Sequence, residues 1–230
     1  ESVKIPYTHS GVLSSSLAMD KELSRLIFKK NKINVPKYFL LQKDYKWEFD
    51  RKIKNKKIKF PIVIKPINEG SSLGVFICKN RTQFIRNYKK LKNEYDRILV
   101  EEYIPGKEIQ VAVMGNKALG AIELVPRREF YDYTAKYSAS AKTKHIMPAL
   151  LSQKKYKEVL MLARKAHKLL GCRGVTRSDF RFSQNKFYLL ETNTQPGMTK
   201  LSLVPEIANY CGIKFEDLVS WMVKDASSNR

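Results

Sequence analysis

The chain has 230 residues, 43% hydrophobic and 29% charged, and carries a formal net charge of +22. That length and composition fit a soluble globular protein of one large or two small domains. No apolar run is long enough to span a bilayer, the N-terminus has no signal-peptide layout, and Cys78, Cys172 and Cys211 lack disulfide or metal-ligand spacing. The cysteines read as small buried hydrophobes of a reducing, cytoplasmic compartment. The lysines run from end to end without a nucleic-acid-binding motif, so the charge reads as a surface drift toward lysine that also attracts anionic substrates. Its densest cluster, Lys52–Lys59, reads as a solvated loop or helix end.

Along the chain, Ser10 is placed to cap a short helix through Leu17, and Asp20 to cap a second helix through about Asn31. Leu23, Leu26, Ile27 and Lys30 give that second helix one face at helical spacing. Lys21 falls in its first turn, where a cation opposes the helix dipole unless an anion is near. Val35–Leu41 reads as a strand, Lys43–Lys54 as a helix or irregular segment, and Ile62–Lys65 and Gly74–Cys78 as strands. Arg81–Lys92 is an amphipathic helix, and Ile98–Ile104 is an apolar strand interrupted by two acids. Glu108–Met114 and Ala118–Val125 form a hairpin about Gly115-Asn116. Pro126–His145 is long, polar, aromatic and unpatterned, the signature of a functional flap. Gln153–Leu170 is the clearest helix, closed by Gly171. Gly174–Phe182 and Lys186–Glu191 pair as strands, and Leu203–Tyr210 and Phe215–Lys224 are terminal helices.

Two stretches carry chemistry. Pro61–Cys78 (PIVIKPINEGSSLGVFIC) is a strand ending near a lysine, a Gly/Ser loop and a second strand. Gly70 and Gly74 free the backbone, while Ser71 and Ser72 add hydroxyl donors, so the segment can cradle phosphate. An ordinary hairpin with a mobile tip is the alternative on these residues alone, since the P-loop spacing is absent. Late in the chain, Asp179 lies in TRSDF, and Glu191 and Asn193 lie in LLETNTQPG. Glu191 and Asn193, two apart, point to one face of a strand. Two carboxylates and a carboxamide suit Mg²⁺ or Mn²⁺ held together with substrate phosphates. A surface Asp and an Asn-Thr turn is the bland reading; the apolar run before Glu191 takes its carboxylate inward, where an unpaired charge is costly.

The runs GVLSSSLAMDK, VIKPINEGSSLG, VEEYIPGKEIQVAV, FYDYTAKY, GVTRSDF and LLETNTQPGMTKLSLVP resemble the D-alanine–D-alanine ligase family of the ATP-grasp superfamily, in order and at plausible spacings. The resemblance implies an α+β fold of two subdomains whose mainly antiparallel sheets clamp ATP. It implies residues 1–17 as a linker from a further N-terminal α/β domain, 18–103 as the central subdomain and 104–230 as the C-terminal subdomain. That further domain supplies a glutamate for the first D-alanine, and without it the first-substrate site is incomplete.

Residue roles follow from the same resemblance. Lys21 and Lys65 hold ATP phosphates, and Glu69, Gly70, Ser71 and Ser72 close over them. Glu101, Glu102, Tyr103 and Ile104 form the adenine hinge, mostly through backbone groups; Glu102 stands where the family often has lysine. Glu108 binds ribose. Asp179, Glu191 and Asn193 hold two Mg²⁺ or Mn²⁺ ions. Catalytic roles fall to Ser71 beside the substrate, Arg177 at developing oxyanions, Gly197 in the substrate loop and Tyr137. Ser202 and Leu203 bind the carboxylate of the second D-alanine at a helix N-terminus. Pro126–His145 is the mobile cover that carries Lys136 and Tyr137.

The implied activity joins two D-alanines through an acylphosphate for peptidoglycan precursors, in a homodimer of the full-length enzyme, with neither specific nucleic acid nor membrane insertion. A D-alanine–D-lactate ligase or another ATP-grasp carboxylate–amine ligase would share the metal set and the phosphate loop. A basic nucleic-acid binder, a different class, would have no use for Asp179, Glu191 and Asn193.

Overall fold

The computed structural model describes residues 1–42, 48–125, 143–199 and 202–228. Two antiparallel sheets organise them. The smaller runs β1-β4-β2-β3, built from β1 (Tyr38–Gln42), β2 (Ile62–Pro66), β3 (Phe76–Cys78) and β4 (Arg97–Glu102). The larger runs β7-β6-β5-β8-β9, built from β5 (Lys107–Met114), β6 (Lys117–Val125), β7 (Lys144–Ile146), β8 (Val175–Ser183) and β9 (Lys186–Asn193). Strand β7 takes up the last residues of the segment that sequence leaves unpatterned.

Alternation along each strand gives the small sheet two unlike faces. Phe39, Leu41, Ile62, Ile64, Ile98 and Val100 pack under α3 (Glu48–Asn55) and α4 (Arg81–Glu94), where the rings of Phe49 and Phe84 stack at 3.8 Å. Val63, Lys65 and Glu101 turn the other way, into a cleft. In the large sheet, Ile109, Val111, Val113, Phe180 and Leu189 pack with α5 (Gln153–Leu169). Ala112, Ile122, Leu124 and Val175, on the opposite face, pack against α6 (Leu203–Tyr210) and α7 (Phe215–Asp225).

Caps set the helix ends. The Asp20 carboxylate accepts from the amides of Glu22 (2.9 Å) and Leu23 (3.0 Å) and starts α2 (Lys21–Lys30). The Ser152 hydroxyl accepts from Lys155 N and starts α5, and Gly171, at φ +68°, takes the left-handed turn beyond its end.

Three expectations are corrected. Ser10 does not cap α1 (Val12–Met19): the N-cap is Gly11, and the buried Ser10 hydroxyl donates to Arg173 O at 2.9 Å. Ser14 likewise donates to Gly171 O at 2.7 Å, so α1 is pinned to the turn between α5 and β8. The buried face of α2 is not its leucine stripe. Leu23 and Leu26 are about half exposed, while Lys21, Ser24, Arg25 and Phe28 are buried. The cleft lies on that side and supplies carboxylates for the two cations, which overrides the apolar periodicity. Finally, Cys78 and Cys172 are buried but Cys211 is exposed.

Candidate active site

Helix α2 and the small sheet form the first wall of the cleft. Lys21 and Arg25, four residues apart, lie one turn from each other on the buried face of α2. The Lys21 ammonium meets the carbonyl oxygen of Glu69, lies 3.5 Å from that of Ile67, and is 3.9 Å from a Glu191 oxygen on the far wall. Burial pulls its pKa below the ordinary 10.5, and Glu191 pulls it partly back. Lys65 Nζ is 2.8 Å from Glu101 Oε1, and Arg25 meets the other oxygen of the same carboxylate. Strand pairing explains the contact: Val63 lies opposite Glu101 and Lys65 two residues further on, a diagonal pair on one face. Burial pushes the Glu101 carboxyl up, but Arg25 and then Lys65 overcome this and hold it below the usual range.

The loop from 69 to 75 lies over these cations. Ser71 (φ +50°), Ser72 (φ +62°) and Gly74 (φ +66°) all take left-handed backbone, and Val75 N donates to Ser72 O. Two serines in that region carry strain of the kind found at ligand-clamping loops. Gly74 is needed: a Cβ there would stand 2.9 Å from the Pro66 ring. Gly70 is not, having neither positive φ nor a neighbour within 4 Å of a built Cβ, contrary to the expectation that both glycines serve the backbone.

The hinge between the sheets is held by both. Glu102 N donates to Lys37 O at 3.0 Å and Tyr103 N to Pro61 O at 3.3 Å. From the large sheet, Arg181 donates to Ile104 O (3.0 Å) and Gly106 O (2.8 Å) and approaches Glu108 at 3.4 Å.

Strands β8 and β9 form the second wall. Asp179 pairs in register with Glu191 and Arg177 with Asn193, so all four side chains share one face. A β-bulge follows at once, where Phe180 pairs with Leu189 and Leu190 has no partner; Leu190 and Glu191 both line the cleft. Arg177 forks onto Asp179 through Nε (2.8 Å) and Nη2 (2.9 Å). This corrects one step of the sequence argument. The more deeply buried carboxylate is Asp179, and its counter-charge is an arginine of the same strand, so burial alone does not call for a metal.

The cleft encloses about 920 Å³, open mouth included. It collects Lys21, Lys65, Glu69, Gly70, Ser72, Glu101, Glu102, Tyr103, Ile104, Glu108, Asp179 and Glu191 from the expected set. Arg177 and Asn193 belong to its hairpin wall without lining this part of it. Gly197 and Ser202 meet each other further along: a Cβ on Gly197 would lie 2.8 Å from Ser202 Oγ. Ser202 is the N-cap of α6 but does not cap it with its side chain; its hydroxyl instead accepts from Thr199 N at 3.0 Å. Leu203, the first residue of α6, is buried. Lys136 and Tyr137 lie outside the described residues, as do Lys200 and Leu201.

Sequence reasoning missed Arg25 and Arg181. Each follows a charged residue already singled out at the period of its element: Arg25 four after Lys21 on a helix, Arg181 two after Asp179 on a strand. Among the described residues no three His, Cys, Asp or Glu side chains gather as a metal cage. The candidate set is two carboxylates plus the Asn193 carboxamide, all hard oxygen donors, which fits Mg²⁺ or Mn²⁺ shared with phosphate.

Two antiparallel sheets that close on one cleft, with lysines on one wall and carboxylates on the other, are the ATP-grasp fold. The comparisons narrow this. The family profile described as D-ala D-ala ligase C-terminus matches residues 27–224. The chain is 60% identical to a D-alanine–D-alanine ligase of Pelagibacter ubique over all its 230 residues, which cover 75% of that relative. It is 41% identical to one of Wolbachia pipientis, again along its whole length and over 72% of the relative. The crystal structure of D-alanine–D-alanine ligase from Bacillus anthracis superposes with a TM-score of 0.86 at 32% identity, covering 97% of this chain and 72% of that one. The ATP complex of the Bacillus anthracis ligase superposes at 0.83, with 30% identity. The chain belongs to the D-alanine–D-alanine ligase family.

Proposed function

We propose that the chain is the ATP-grasp part of a ligase that joins two D-alanines into D-alanyl-D-alanine for peptidoglycan precursors, with ATP as energy source. The observation that carries this reading is the cleft itself, where buried Lys21 and Lys65 face Asp179 and Glu191. An ATP laid between the walls meets cations on one side. On the other, Asp179, Glu191 and Asn193 would hold Mg²⁺ or Mn²⁺, which supplies neutralisation of phosphate charge.

In the first step, a carboxylate oxygen of D-alanine attacks the γ-phosphorus of ATP and ADP leaves, giving an acylphosphate. In the second, the amine of another D-alanine attacks the acyl carbon, and the tetrahedral adduct collapses to the dipeptide with loss of inorganic phosphate and a proton. Lys21 and Lys65 hold the phosphates, with Glu69–Ser72 above them. The adenine and ribose lie along Glu101–Ile104 and Glu108. The Arg177 fork, two residues from the Asp179 it orients, stabilises the developing oxyanions. Gly197, Ser202 and Leu203 receive the carboxylate of the second D-alanine at the start of α6, where the Ser202 side chain does not cap the helix amides. Ser71 acts beside the substrate, and the roles that the resemblance gives Lys136 and Tyr137 belong to the same reading. The subdomain division at about residue 103, a cytoplasmic setting and a full-length homodimer complete the reading. No described helix is long and apolar enough to cross a membrane.

Phosphate release from ATP with D-alanine, D-lactate or no acceptor tests it, on this chain and on the chain preceded by the N-terminal segment its relatives carry. D-Alanine-dependent release with D-alanyl-D-alanine as product is expected from the extended form. Release indifferent to the acceptor, or faster with D-lactate, would overturn the reading.

A further inference from the structure

Arg25 is fully buried, and Glu101 is the one charge partner it has among the described residues. Its Nε and Nη1 meet no hydrogen-bond acceptor there, and its guanidinium lies 5.3 Å from the centre of the Tyr38 ring, the cross-strand neighbour of Glu101. As a stabilising device this is a poor choice, because a desolvated arginine with unmatched donors is commonly outperformed by an apolar side chain of similar volume. The arrangement makes sense once Lys65 is counted. Glu101 sits between Arg25 and Lys65, one oxygen to each. If Lys65 had the carboxylate to itself, the pair would be neutral and would offer a phosphate little net attraction. With Arg25 present, two cations share one carboxylate and one net positive charge remains at the cleft surface, where Lys65 lines the wall and Arg25 does not.

We infer that Arg25 is a positioning residue of the nucleotide site: it takes up half of the Glu101 carboxylate and so leaves Lys65 charged, aimed and available to phosphate. This role rests on the ATP reading above. Glu101 thereby does more than open the adenine hinge, since its side chain sets the orientation of Lys65 while its backbone continues into the hinge. Lys21, one turn from Arg25 on the same helix, keeps the phosphate site and the buried triad in fixed relation.

Calorimetric affinities for ATP and for adenosine test the role, with a thermal melt on each protein. Arg25→Met should weaken ATP about tenfold or more, the size of one charge-assisted contact, and leave adenosine unchanged. Arg25→Lys, which keeps the charge, should retain most of the ATP affinity. The double variant Arg25→Met/Glu101→Gln removes one charge of each sign, frees Lys65 from its carboxylate and should recover ATP binding. Equal loss for ATP and adenosine, or a double variant no tighter than Arg25→Met, overturns the inference. Should Arg25→Met fail to fold, Arg25→Gln decides by the same split: ATP should weaken with adenosine unchanged, and an equal loss of both, or no loss of ATP, overturns the role. A wild-type chain that binds neither nucleotide instead overturns the ATP reading beneath it.

Discussion

On the small-sheet side of the cleft the charged groups come from a helix and two separate strands; on the large-sheet side they come from a single hairpin. Lys21 and Arg25 on α2, Lys65 on β2 and Glu101 on β4 meet only because α2 docks over the sheet. Arg177, Asp179, Glu191 and Asn193 meet because two paired strands place them in register. The walls also differ in polarity and reach. The first is rich in buried cations and can hold phosphate oxygens directly. The second presents carboxylates, which repel phosphate unless a cation stands between. The Lys21–Glu191 approach of 3.9 Å is where they touch.

This difference gives the strongest prediction. Asp179→Ala or Glu191→Ala should lower ligase turnover by about 10²-fold or more in the N-terminally extended enzyme. Glu191→Ala should melt close to the wild type, while Asp179→Ala, which leaves the Arg177 fork without its carboxylate, should melt lower. ATP affinity measured in EDTA should be unchanged or improved by either variant, because the carboxylates help only through a divalent cation. Retained turnover, or a loss of affinity that persists in EDTA, would remove the metal role from this wall.

The cation wall should behave in the opposite way. Lys65→Met and Lys21→Met should each weaken ATP about 10- to 100-fold both with and without divalent cation, by loss of a charge-assisted contact. Burial lowers the Lys21 pKa, so the ammonium loses its proton, and ATP its partner, at a pH below the ordinary lysine range. Lys21→Arg stays charged and should hold ATP to higher pH than the wild type. Coinciding alkaline limbs for the two proteins would show that Lys21 does not control the binding.

The same contrast explains what could be read in advance. The acid wall was legible because its geometry is local: Asp179, Glu191 and Asn193 follow from period 2 and a short hairpin turn. The Asp20 cap, the β5–β6 hairpin and the stop of α5 at Gly171 were legible for the same reason. The cation wall was only half legible. Lys21, as a cation in a first helical turn, and Lys65, as a lysine beside a Gly/Ser loop, stand out from the residues and take their ATP role from the resemblance. Arg25 was hidden because apolar periodicity ranks Leu23 and Leu26 above a charged residue as the buried face. Only the docking of α2 against Glu101 reverses that order. The bulge that turns Leu190 into the cleft and the hydrogen bond from Ser10 to a carbonyl 163 residues away are tertiary facts without a local signal.

Acid should destabilise the packing of α5 against β8. His167, buried in α5, lies 2.8 Å from Thr176 Oγ1 on β8, and burial holds its pKa at about 4, below its ordinary 6.5. Its folded pKa is depressed, so the unfolded chain binds the proton first. The stability tied to the neutral ring is complete above about pH 6.5 and is lost as the pH falls toward about 4. The loss should amount to about 3 kcal/mol, read from denaturant unfolding at a series of pH values. His167→Gln, which can still bond to Thr176, should flatten that slope, and parallel profiles for the two proteins would refute the assignment.

The smallest effects separate the two glycines of the phosphate loop. Gly74→Ala forces a Cβ into φ +66° and to 2.9 Å from Pro66, with Leu91 at 3.0 Å. Neither the proline ring nor the packed leucine can retreat far, so unfolding free energy should fall by about 1–3 kcal/mol and ATP affinity with it. Gly70→Ala meets nothing within 4 Å and needs no left-handed backbone, so its stability should stay within about 0.5 kcal/mol of the wild type. Should Gly70→Ala bind ATP much more weakly while remaining as stable, the missing Cβ at 70 serves the approach of the nucleotide. Unchanged affinity would leave Gly74 as the glycine that the loop requires for its shape.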